Sequence, residues 1–104
     1  MSTVDLKELS ASLDSAALQL LGPLRISKTL DDRALAKVSS LIEEIGKVVG
    51  AQAEVPKDLV GKLWFVFTAM LAEAEHARAN REQIEIAAWG IQEKLRKIFG
   101  PQFL

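Results

Sequence analysis

Cysteine and tyrosine are absent from this 104-residue chain, and histidine occurs only once. The lack of cysteine excludes disulfides, thiolate metal ligands and thiol nucleophiles, and it fits a reducing compartment. The first ten residues have no basic segment followed by an apolar run, which a secretory signal requires. The sequence therefore predicts a cytoplasmic protein.

An excess of charge of either sign is also missing. The chain has 13 basic and 14 acidic residues, a formal net charge of −1, so no overall field attracts a polyanion or an anionic membrane. The most apolar stretch, residues 59–72, contains Lys62 and is shorter than the roughly 20 apolar residues of a membrane-spanning helix. We expect no membrane association, and recognition of any partner by a local surface.

What the chain does contain is an ordinary globular composition, 49% hydrophobic and 26% charged. Its length is typical of one domain, so we expect a single domain over residues 1–104. Apolar residues recur at steps of three and four, whereas the alternation typical of half-buried strands is not sustained. The fold class predicted is all-α, with helices over about residues 3–21, 30–50, 56–79 and 81–99.

The helix boundaries follow from local signals. Ser2 or Thr3 is predicted to cap the first helix, and Gly22-Pro23 to end it, because proline blocks continuation of a helix. Thr29 is predicted to cap the second helix, ahead of two aspartates that favour the positive helix end. Pro56 suits the first turn of the third helix, where its missing N–H costs nothing.

The last two helices allow two interpretations. The three-four rhythm is unbroken between Val60 and Ile98, so one continuous helix over 57–99 is an alternative, which needs a dimer to bury its apolar face. However, Asn80 followed by Glu82 and Gln83 is typical of a helix cap with a reciprocal partner. A break there gives four helices of similar length, which pack as an antiparallel four-helix bundle within one chain. We favour this bundle.

Most catalytic arrangements are excluded by residue type and spacing. The chain has no Gly-x-Ser-x-Gly nucleophile turn and no Gly-x-x-x-x-Gly-Lys phosphate loop followed by Ser or Thr. We therefore expect no enzymatic activity and no cofactor. The Glu-x-x-His spacing of Glu73 and His76 occurs in carboxylate-bridged di-iron bundles, so a metal-binding bundle is one alternative. Both residues are predicted to lie on the flank of helix three, whereas metal ligands must face the bundle interior.

A modest group of basic residues, Lys94, Arg96 and Lys97, raises a second alternative, a regulatory nucleic-acid binder. Cations are also expected in the last turn of any helix, because they complement its negative end. No basic stripe interleaved with aromatic residues is present, so we regard nucleic-acid binding as the weaker interpretation.

The most distinctive feature is a run of large apolar residues from Leu63 to Phe67, which cannot all face one core. With Leu63 and Phe67 inward, Phe65 falls on the far side of the helix. Ile86 and Trp89 stand off the apolar stripe of helix four in the same way, and tryptophan among polar residues is typical of an interface anchor. The sequence thus predicts a non-enzymatic protein-protein interaction protein, a homodimer, with Phe65, Ile86 and Trp89 at its interaction surface.

Overall fold

The computed structural model describes residues 5–50, 52 and 54–101. Within these residues there are four α-helices and no β-strand, so the predicted all-α bundle is confirmed. The alternative with one helix over 57–99 is wrong, because residues 76–80 form a turn. The helices are α1 (Leu6–Ser27), α2 (Asp32–Val49), α3 (Lys57–Glu75) and α4 (Arg81–Phe99).

The bundle consists of two helical hairpins, α1 with α2 and α3 with α4, packed side by side. Between the hairpins, α1 contacts α3 and α2 contacts α4. Lys62 on α3 pairs with Asp14 on α1, and Glu73, further along α3, pairs with Lys28 at the end of α1. The two helices therefore run in the same direction, although helices consecutive in sequence are antiparallel. This parallel pair, α1 and α3, forms the groove described below.

The core is entirely apolar within the described residues, because no polar or charged side chain there is buried. On α3 the inward residues include Leu63, Phe67 and Met70, and on α4 Ile84 and Leu95. These are the positions that the three-four spacing predicts, so the rotational phase of both helices is as expected.

Helix α1 does not end at Gly22-Pro23, and that prediction is wrong: the helix continues to Ser27. Leu24, in the turn after the proline, is fully buried, and burying a leucine contributes roughly 1.5–3 kcal/mol. This is comparable with the cost of about 3 kcal/mol for an interior proline. Lys28 then ends the helix in the left-handed conformation, with φ 55°, and its N–H donates to the carbonyl of Leu24.

Aspartates cap the first two helices. The carboxylate of Asp5 accepts a hydrogen bond from the N–H of Glu8 at 2.9 Å, whereas Ser2 and Thr3 lie outside the described residues. At α2 the cap is Asp31, and the Thr29 hydroxyl contacts that of Ser27 instead, so the Thr29 prediction is wrong. A carboxylate is a stronger acceptor for backbone N–H groups than a hydroxyl, and it also interacts favourably with the positive helix end.

Helix α3 ends at Glu75, four residues before the predicted boundary, because only Ala77 among residues 75–80 is buried. Pro56 precedes α3 instead of occupying its first turn. Asn80 precedes α4, but its side chain does not cap the helix, so that prediction is also wrong. Its amide donates to the carbonyl of Lys28, which ties the α3–α4 turn to the end of α1.

Glycine 46 lets α2 approach α4 closely. A Cβ atom at this position would lie 2.9 Å from Cγ1 of Ile98, whereas a Cβ at Gly90 of α4 would meet nothing within 4 Å. We expect Gly90→Ala to raise the free energy of unfolding by roughly 0.5–1 kcal/mol, because alanine favours a helix. Gly46→Ala should lose that gain, because Ile98 must move. Urea denaturation of both variants tests this, and an equal gain at Gly46 would contradict the close approach.

Candidate protein-interaction site

An apolar groove of about 600 Å³ runs between α1 and α3. Leu13, Leu21 and Val66 are its buried apolar residues. Two further apolar side chains line the groove but remain open to solvent. Leu18 has 74% of its surface exposed and Phe65 has 49%. The described residues therefore leave the groove uncovered as an apolar surface.

Charged residues also line this groove. Lys62 of α3 lies 3.0 Å from the carboxylate of Asp14 and donates to the Ser10 hydroxyl of α1, so it bridges the two helices. The guanidinium of Arg25 lies over the Phe65 ring, 5.7 Å from its centroid, in a cation–π contact. Asp58, in the first turn of α3, is the fourth charged residue of the lining.

Phe65 was expected on the far side of helix three from Leu63 and Phe67, and it lines the groove together with Gly61. Leu18 was not identified in the sequence, although it stands off the spacing of the buried residues Leu13, Ala16 and Leu20. A leucine outside the apolar stripe could have been identified from the sequence. The spacing within one helix does not show, however, that α1 and α3 are neighbours.

Ile86 and Trp89 are exposed on α4, with 57% and 51% of their surfaces open. Among the described residues, those that line the groove belong to α1 and α3, so Ile86 and Trp89 do not share a surface with Phe65. Trp64 faces the other side of α3 from Lys62, since two residues correspond to about 200° of rotation. It packs edge-on against Phe67, with ring centroids 6.4 Å apart.

The metal-ligand candidates are not assembled into a site. The carboxylate of Glu73 lies 2.5 Å from the ammonium of Lys28, and His76 is an exposed residue at the end of α3. Across residues 5–50, 52 and 54–101, no group of three or more metal-ligating side chains lies together. Nothing in this geometry favours the di-iron-like alternative.

Basic residues of α4 are partly neutralised by neighbouring acids. Lys94 pairs with Glu43 of α2, Arg96 with Glu93, and Arg81 with Glu85. These pairs intersperse negative charge among the cations, which weakens a phosphate-binding surface. The geometry adds no support for the nucleic-acid alternative.

The ion pair between α2 and α4 perturbs one carboxyl group. The Lys94 ammonium, by hydrogen bonding and by its charge, lowers the pKa of Glu43, and Lys47 and Lys97 lower it further. The pair is thus fully formed above the ordinary carboxyl pKa and is lost as the pH falls through the lowered value. We expect Lys94→Met to return the pKa of Glu43 toward its ordinary range, measured by NMR titration, whereas Lys37→Met should leave it unchanged. Equal pKa values in wild type and Lys94→Met would contradict the pair.

No described helix is long and apolar enough to cross a lipid bilayer. The fold defines the chain as an all-α four-helix bundle. Comparison with protein-family models, with curated proteins and with solved structures finds no match to it.

Proposed function

We propose that this chain is a non-enzymatic protein-interaction protein that associates with a second copy of itself. The observation that supports this most is the apolar groove between α1 and α3, with Leu18 and Phe65 exposed along it. Large apolar side chains grouped around a concave surface and surrounded by charges are typical of protein contact sites. A partner that covers the groove gains the free energy of removing these side chains from water.

A second copy is favoured as the partner because the charges of the lining are balanced, two acidic and two basic. A surface with charges of both signs can match a second copy of itself, whereas a surface of one sign repels its own copy. The absence of cysteine fits association in the reducing cytoplasm, which we propose as the location. Ile86 and Trp89 remain predicted contact residues on α4, separate from the groove.

Light scattering over a concentration series from micromolar to millimolar tests the proposal. We expect the mean mass to rise from the 11.4 kDa of one chain toward twice that value. Phe65→Ser should shift the rise to higher concentration, because it removes apolar surface from the groove. Trp89→Ala, measured in parallel, shows whether α4 contributes to the contact. A wild-type mass of one chain at every concentration would overturn the proposal.

A further inference from the structure

Two of the four charged residues that line the groove have no ion-pair partner among the described residues. Asp14 pairs with Lys62, but within the described part of the chain neither Arg25 nor Asp58 forms an ion pair. The pair of Asp14 with Lys62 fixes the register of the two parallel helices. Asp58 lies one turn before Lys62, whereas Arg25 lies about 16 Å beyond Asp14 along α1. Asp58 and Arg25 therefore lie toward opposite ends of the groove, and the Arg25 guanidinium reaches over the Phe65 ring between them.

We infer that the groove is a two-fold symmetric interface in which Arg25 of each chain faces Asp58 of the other. A two-fold axis through the middle of the groove places each end of one copy against the opposite end of the other. Leu18 and Phe65 then meet near the axis, and the four unpaired charges form two ion pairs per dimer. This inference rests on the proposed self-association and specifies its geometry.

The size of the surface indicates a weak association. On α1 the groove lining runs from Leu13 to Arg25, which corresponds to about 18 Å along the helix. Two helices packed 8–10 Å apart present a face about 20 Å wide, so the groove offers roughly 360 Å² per copy. This is less than half of the ~800 Å² per partner of a standard interface, so we expect a weak and reversible dimer.

Gly61 keeps the groove open at the surface of α3. A Cβ atom there would meet nothing within 4 Å, so packing inside the chain does not require glycine. A larger side chain at this position therefore fits the monomer and favours the helix, but it fills space that the second copy occupies. Gly90 of α4 is also exposed with open space around it, and it does not line the groove. The two glycines form a matched pair for a blocking experiment.

The charge arrangement is tested by exchange of the two residues. Arg25→Glu and Asp58→Arg, each alone, should weaken the homodimer at least tenfold in sedimentation velocity, because each places like charges opposite one another. An equimolar mixture of the two variants should form a heterodimer, since both opposed pairs are then of opposite sign. The double variant R25E/D58R should recover the homodimer for the same reason. Circular dichroism confirms that each variant is folded.

Substitution of the two glycines, Gly61 and Gly90, tests the surface without a change of charge. Gly61→Gln should abolish dimerisation at wild-type working concentrations, whereas Gly90→Gln should leave it unchanged. If Gly61→Gln and both charge variants dimerise as strongly as the wild type, this interface is wrong, although the proposed self-association still stands. A wild-type chain that stays monomeric at millimolar concentration would overturn both the proposed self-association and this interface. The same conclusion would hold if the groove bound an added amphipathic peptide but the chain did not dimerise.

Discussion

Replacement of Phe67 by alanine is expected to lower the free energy of unfolding by about 3–5 kcal/mol. Phe67 points into the bundle with 4% of its surface exposed, and it packs against Trp64. The substitution removes a large apolar side chain and leaves a cavity that the surrounding helices fill only in part. Urea denaturation, followed by circular dichroism at concentrations where the chain is monomeric, measures the loss.

Phe65→Ala is the matched control, since the same residue type is replaced on the same helix, two positions away. Phe65 has about half of its surface in solvent, so we expect a loss below about 1 kcal/mol. A loss below about 1 kcal/mol in Phe67→Ala, or a larger loss in Phe65→Ala, would mean that α3 is rotated relative to the arrangement described here.

The second large effect is expected at the end of α1. Leu24 is fully buried in the turn that follows Pro23, and its burial offsets the hydrogen bond that the proline removes. Leu24→Ala should therefore lower the free energy of unfolding by about 2–5 kcal/mol. It should also speed hydrogen exchange of the Lys28 amide, which donates to the Leu24 carbonyl in the helix end.

Ile26→Ala provides the comparison, because Ile26 lies in the same last turn with 88% of its surface exposed. Its replacement should change the free energy of unfolding by no more than about 0.5 kcal/mol. If Leu24→Ala and Ile26→Ala lose equal stability, burial of Leu24 is not the reason that the helix continues after Pro23.

The fold was predictable as far as local spacing determines it. Apolar residues at steps of three and four identify the inward faces, and Leu63, Phe67 and Ile84 are buried accordingly. The boundaries were less predictable, because local signals compete with tertiary contacts. Pro23 is a stop signal that the burial of Leu24 overrides, and Asn80 is a capping residue whose side chain bonds to Lys28 of another hairpin. Neither contact is visible in the spacing.

The candidate site was predictable only in part. Phe65, Ile86 and Trp89 stand off the apolar stripes, and all three are exposed. Their exposure agrees with the prediction, whereas their role in binding stays a prediction. The groove itself depends on α1 and α3 being neighbours, and periodicity within each helix does not determine which helices are adjacent. Leu18 became a candidate only once that adjacency was known.

Cross-linking of single-cysteine variants tests the central claim, self-association through the α1/α3 groove, most directly. The chain has no cysteine, so Leu18→Cys and Ser40→Cys each introduce one thiol, on the groove and on the exposed side of α2 respectively. Each variant is treated with a short bismaleimide at a concentration where the dimer is populated. We predict a covalent dimer for Leu18→Cys and a monomer for Ser40→Cys. Equal cross-linking of the two variants, or cross-linking of Ser40→Cys alone, would contradict association through the groove.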